Sequence, residues 1–159
     1  PETPDHVPDI PSRRVWFASI TPSDDAANQT VSHVSNVEYV KWIDAMGQGH
    51  LASLGWTTEA LIASGAMWFV ARHEIDYLKE TYAGETLLAA TWVRDVKRVK
   101  SWRDTIIWRE IENKCEVVCT ASTLWVHVDL AERRPVRPPA EMMIALDPCG
   151  SDPPWRGRR

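Results

Sequence analysis

The sequence predicts an α+β fold in which one long helix lies across a strongly curved antiparallel sheet. Three observations carry this. Apolar residues recur at steps of three and four through Val37, Val40, Ile43 and Met46, and again at Leu51 and Leu54, which is the stripe of an amphipathic helix. Residues 66–78, 86–96, 102–111 and 116–128 are long β-rich runs separated by short turns. One strand, one long helix and then four or five strands is a layout of segregated elements around one core.

Taken in order, residues 1–12 carry four prolines and read as a flexible N-terminal arm. Residues 14–20 form a first strand. Residues 21–35 are polar and rich in turn formers; a long ordered loop in a small domain is a candidate for function. Asn36 is placed to cap the helix, Gly47 and Gly49 weaken its middle so that a bend is expected, and Gly55 ends it. Thr57 or Thr58 caps a short second helix reaching Ser64. Turns at Ala83-Gly84-Glu85, at residues 97–100 and at Glu112-Asn113-Lys114 join the four long strands into an expected meander. The last run has apolar residues on both faces, so both sides of the sheet should be covered, one by the helix and the other by a second subunit. Residues 131–139 hold three prolines and suit a short edge strand, residues 140–146 a helical turn or two, and residues 147–159 a loose tail. The domain itself is assigned to residues 13–146.

Composition narrows the function. The chain has 159 residues, enough for one domain with its own core, and a net charge of −4, which gives no basic field for nucleic acid. No run of 18 apolar residues exists to insert in a membrane, and residues 1–11 lack the basic start and apolar middle of a signal peptide. Cys115 and Cys119 should share a strand face about 13 Å apart, too far to pair. With Cys149 they are expected to be reduced thiols of a cytoplasmic protein. His50, His73 and His127 share no metal-ligand spacing, and there is no phosphate loop, nucleophile elbow or dinucleotide-binding glycine pattern.

The segment His33-Val34-Ser35-Asn36-Val37-Glu38-Tyr39-Val40-Lys41-Trp42-Ile43-Asp44-Ala45 resembles the loop-to-helix motif of the 4-hydroxybenzoyl-CoA thioesterase family. His73-Glu74-Ile75-Asp76-Tyr77-Leu78 is similar to that family's second strand, Lys100-Ser101-Trp102-Arg103 to its basic turn, and Leu124-Trp125-Val126-His127-Val128-Asp129-Leu130 to the end of its fifth strand. The resemblance covers roughly residues 14–146. It implies a hotdog fold, a homodimer or dimer of dimers with active sites at the subunit interface, and hydrolysis of an acyl-CoA thioester without metal or other cofactor, coenzyme A being part of the substrate.

Carried over position by position, the family's catalytic aspartate falls on Gln29, its glycine on Ser32, and its oxyanion-binding amide on the backbone N–H of Asn36. A carboxamide neither accepts a proton nor attacks a carbonyl, so Gln29 keeps the ability to hydrogen-bond a thioester or a water and loses base chemistry. His33 is the leading replacement, since imidazole titrates near neutrality. Asp24, Asp25 and the helical Asp44 are the other acids in reach. The alternative is a protein that binds the thioester without cleaving it. The resemblance also implies that the basic turn, with Lys97, Arg98, Lys100, Ser101 and Arg103, binds the phosphates of coenzyme A, a role for which Lys and Arg are suited. Trp42, Trp68, Trp92 and Trp102 are candidates to line an acyl pocket.

Overall fold

The structure, a computed structural model, describes residues 2–27 and 30–157. Its elements are β1 (Trp16–Ile20), α1 (Asn36–Ser53), α2 (Thr58–Ser64), β2 (Ala66–Tyr77), β3 (Leu87–Lys97), β4 (Lys100–Ile111), β5 (Lys114–Asp129), β6 (Arg134–Pro135) and α3 (Ala140–Leu146), with a 3₁₀ turn at Asp24–Ala26. The sheet is antiparallel and curls around α1, the hotdog architecture that the resemblance implies.

Strand order departs from a meander. It runs β1-β3-β4-β5-β2, with β6 on β5. β2 therefore pairs with β5 and lies at the sheet edge, not beside β3. The stretch holding Ala83-Gly84-Glu85 is not a hairpin turn; residues 78–86 cross the end of the sheet beneath the start of α1. The other two turns are tighter than expected. Lys97 pairs with Lys100 and Ile111 with Lys114, leaving two-residue loops. Glu112 and Asn113 both have positive φ, which matches the strand twist of such a hairpin.

Helix α1 starts as its sequence dictates, with one shift. Ser35, not Asn36, is the N-cap; its hydroxyl accepts from the Val37 amide at 3.4 Å. The helix runs unbroken past Gly47 and Gly49. They give clearance. A Cβ at Gly49 would lie 2.3 Å from the Trp16 ring, and one at Gly47 would lie 3.3 Å from Trp125 and 3.5 Å from Arg103. Thr57 caps α2 by accepting from the Ala60 amide, and Gly65 closes it in the left-handed conformation.

Three apolar clusters form the core. Tyr39, Ile43 and Met46 of α1 pack on Leu87, Ala89, Ile107 and Cys119. Leu51 packs with Leu61, Val93 and the α3 residues Met142 and Leu146. The outer face carries Trp92 and Trp108, and its cover comes from the chain's own ends, including Ile10, Val15 and Trp155, where a second subunit was expected. A bulge between Ile107 and Trp108, with Val118 as the extra residue on β5, reverses the side-chain alternation. Cys119 thus faces the helix while Cys115 joins the outer cluster, not the same face. All three thiols are free, and burial pushes that of Cys119 up to about 12.

Candidate functional site

The loop before α1 is held from two sides. Ala27 and Val34 form an antiparallel bridge, and the Ser35 amide donates to the Ala26 carbonyl at 2.9 Å. From the crossing connection, the Thr81 carbonyl accepts from the Val34 amide at 2.8 Å. The Thr81 hydroxyl shares a buried 2.6 Å hydrogen bond with Tyr39. Burial raises the Tyr39 phenol above its ordinary range, so it stays neutral. Ser32 takes φ +60°, a conformation that favours glycine, as befits the position where the resembling family has one.

The first turn of α1 offers a donor with no acceptor among the described residues. The amides of Val37 and Glu38 go to the Ser35 hydroxyl and carbonyl. The Asn36 amide has no acceptor among the described residues. It stands at the positive end of an 18-residue helix dipole, where free N–H groups favour an oxygen bearing developing negative charge. Tyr77, at the end of β2, donates its hydroxyl to the Asn36 carbonyl at 3.3 Å and sets its ring edge-on to Tyr39.

His33 lies half-buried beside this turn, its Nδ1 3.5 Å from Glu80 Oε1. Glu80 is held in turn: Arg109 donates to its carbonyl, and Tyr82 donates to its other carboxylate oxygen at 2.8 Å. The carboxylate lies nearer to Nδ1, on one side of the imidazole ring. Sequence reasoning did not find Glu80, Thr81 or Tyr77. Only the alternation His73, Ile75, Tyr77 along β2 signals that Tyr77 faces the helix.

The remaining candidates fall elsewhere. Gln29 lies outside the described residues. Asp24 and Asp25 sit exposed on the 3₁₀ turn. Asp44 accepts from Gln48 at 2.6 Å, about 12 Å along the helix from Asn36. Asp44 also acts on His73, whose pKa is lowered by burial and partly restored by that carboxylate. Lys97, Arg98 and Lys100 are exposed on the β3–β4 hairpin. Ser101 and Arg103 are not with them: strand alternation turns both inward, where they line a cavity of about 560 Å³ beside the C-terminal half of α1. Trp68 lines that cavity, Trp42 packs in the core by Tyr39, and Trp92 is on the outer face, where Trp102 stacks on Arg94. No cluster of three or more His, Cys, Asp or Glu able to hold a metal occurs among the described residues, and no described helix is long and apolar enough to cross a membrane.

A family model described as the thioesterase-like superfamily matches residues 22–146. No curated protein matches the sequence. Several solved structures share the fold. An aspartate-to-asparagine mutant of 4-hydroxybenzoyl-CoA thioesterase, complexed with 4-hydroxybenzoyl-CoA, aligns with a TM-score of 0.78 at 15% identity, over 84% of this chain and 99% of that one. A 1,4-dihydroxy-2-naphthoyl-CoA thioesterase from Synechocystis gives 0.74 at 15%, over 83% and 95%. A DHNA-CoA thioesterase from Staphylococcus aureus gives 0.70 at 19%, over 77% and 80%. At these identities the likeness is one of fold.

Proposed function

The chain belongs to the thioesterase-like superfamily, and on that premise we propose that it binds an acyl thioester of coenzyme A at the start of α1 and hydrolyses it. The observation that carries this is the Asn36 amide at a helix N-terminus, without an acceptor among the described residues and three residues from a histidine that lies beside a carboxylate.

In this reading the thioester carbonyl accepts from the Asn36 N–H. Water, oriented by Gln29 and deprotonated by His33, adds to the carbonyl carbon. The oxyanion is stabilised by the amide and the helix dipole. Collapse breaks the C–S bond, His33 returns its proton to the departing thiolate, and the products are a carboxylic acid and free coenzyme A. Glu80 stands beside the imidazole throughout.

The basic hairpin supports a homodimer. One chain's α1 is about 27 Å long, and the hairpin lies by its C-terminal end, far from Asn36. β2 is an edge strand with Phe69 and Val70 exposed at its middle. Pairing β2 with a second copy about a two-fold axis brings that copy's Lys97, Arg98 and Lys100 to this chain's site, where they meet the phosphates. The three free thiols suit a cytoplasmic location.

The test is thiol release from a panel of short, long and aromatic acyl-CoAs. Release from at least one is expected, with His33→Gln slower by roughly 10² to 10⁴. Gln29→Asp should raise the rate. A thioester that binds tightly and is never cleaved favours the second reading, a binding module, for which the carboxamide at position 29 speaks.

A further inference from the structure

The cavity beside the C-terminal half of α1 holds a charge that makes no ion pair among the described residues. Arg103 is 4% exposed and lines the cavity wall. Its Nη1 donates to Thr91 Oγ1 at 3.2 Å and contacts His50 Nδ1 at 3.0 Å. His50 is neutral, its pKa lowered to about 3 by burial and by Arg103 itself, so it offers a lone pair and no charge. The adjacent Asp104 points to the other face of β4, where Arg94 grips both of its oxygens at 2.6 and 2.9 Å. No acceptor for Arg103 Nε or Nη2 occurs among the described residues. Burial lowers its pKa only to about 10, so it remains a cation at neutral pH. A buried charge without a counter-ion is strongly disfavoured unless something completes it.

Two further polar side chains line the same space. Trp125 is one of them, and its indole N–H is buried without an acceptor among the described residues. Ser101, also buried, adds a hydroxyl. Gly47 is what allows Arg103 and Trp125 to meet the helix so closely, at 3.5 and 3.3 Å from where a Cβ would stand. Most of the rest of the wall is apolar, from Leu51, Leu61, Val93 and Leu146 with Trp56 and Trp68, and Gln48, Thr57 and Thr58 add uncharged polar groups. The one carboxylate of the lining, Glu59, is exposed in the first turn of α2 and screened by water. A volume of about 560 Å³ with a mostly apolar wall and a few polar groups is that of a small-molecule site.

We propose that this cavity is a specificity pocket for an apolar or aromatic group bearing a carboxylate, which Arg103 receives with Trp125 and Ser101 beside it. The carboxylate has two sources, a free carboxylic acid or the distal carboxyl of a dicarboxylic acyl thioester. The second source rests on the thioesterase reading. In the β2-paired dimer, the Ala66–Trp68 end of one chain lies across from the Tyr77 end of the other, which sets this cavity next to the other chain's first turn of α1.

The probes are 4-phenylbutyrate and its uncharged amide, titrated into the full-length protein by calorimetry and by tryptophan fluorescence. Hydrolysis or binding of adipoyl-CoA is compared with that of hexanoyl-CoA. The acid should bind about tenfold or more tightly than the amide, the expected size of one charge-assisted contact in a dry site. Arg103→Met should abolish the preference and keep the amide's affinity. Ala52→Phe, on the exposed face of α1, should block both probes without touching the buried charge. Preference for adipoyl-CoA over hexanoyl-CoA identifies the substrate as the source; preference confined to the free acid identifies a ligand separate from it. Equal binding of acid and amide to the wild-type protein, or a preference that survives in Arg103→Met, overturns the proposal. Acid preference with no hydrolysis of any thioester leaves the pocket standing and removes only the hydrolytic reading.

Discussion

Thr81 is the joint between the crossing connection and α1, where the site is proposed, and replacing it with valine tests that role. Thr81→Val keeps the shape and the backbone bond from Val34, and removes only the hydroxyl. Tyr39 is 3% exposed, so its phenol is then left buried without its 2.6 Å partner. Leaving such a group unsatisfied costs about 1–3 kcal/mol. Tyr39→Phe loses the same bond but strands only a threonine hydroxyl, and should cost about 0.5–1.5 kcal/mol. With both removed, nothing polar is stranded, so the double variant should be about 1 kcal/mol more stable than the two single losses added together. Urea unfolding followed by tryptophan fluorescence reads this directly. At a slope of about 2 kcal/mol per molar, Thr81→Val lowers the midpoint by roughly 0.5–1.5 M. A shift below about 0.2 M, or strictly additive single variants, would refute the assignment of Thr81 as a buried tie.

Three further outcomes follow from the packing and charges. His50 titrates at about 3 when folded and near its ordinary value when unfolded, so below about pH 6.5 the unfolded chain binds the extra proton; stability falls as pH drops toward 3, by up to about 1.4 kcal/mol per unit, and His50→Gln should flatten that slope in unfolding curves. Asp104→Ala should cost about 3–5 kcal/mol by leaving Arg94 buried and unpaired, and adding Arg94→Met should recover most of it in the same assay. Gly49→Ala gains up to about 1 kcal/mol of helix propensity but drives a methyl into Trp16, which costs about 1–3 kcal/mol; it should destabilise the wild type and stabilise a Trp16→Leu background by calorimetric Tm.

The helices were legible because their signals are local. The three-and-four spacing, the Thr57 cap and the left-handed Gly65 all act within a few residues. Strand content was equally plain, but not strand order: nothing within residues 66–78 says that their partner is β5, since that choice is made by the whole sheet. The reversal that separates Cys115 from Cys119 depends on one bulge at Val118, which period-two counting does not detect. At the proposed site, Ser32 and Asn36 were named through the motif, and the positive φ of Ser32 suits a position where the motif has glycine. Glu80 was hidden because the crossing connection brings it to His33 from 47 positions away. Arg103 was grouped with the hairpin cations by proximity in sequence. The alternation Ser101, Arg103, Thr105, Ile107 already places it on the helix-facing side of β4, and that signal outranks nearness to a turn.

The central claim is that the Asn36 amide receives a thioester carbonyl. Its most direct test is amide NMR on labelled protein titrated with an acyl-CoA analogue whose sulfur is replaced by CH₂, which keeps the carbonyl and cannot be hydrolysed. The account predicts that the Asn36 N–H resonance moves downfield on saturation, with smaller changes at Val37 and His33. Saturable binding that leaves Asn36 unmoved while other amides shift would contradict it.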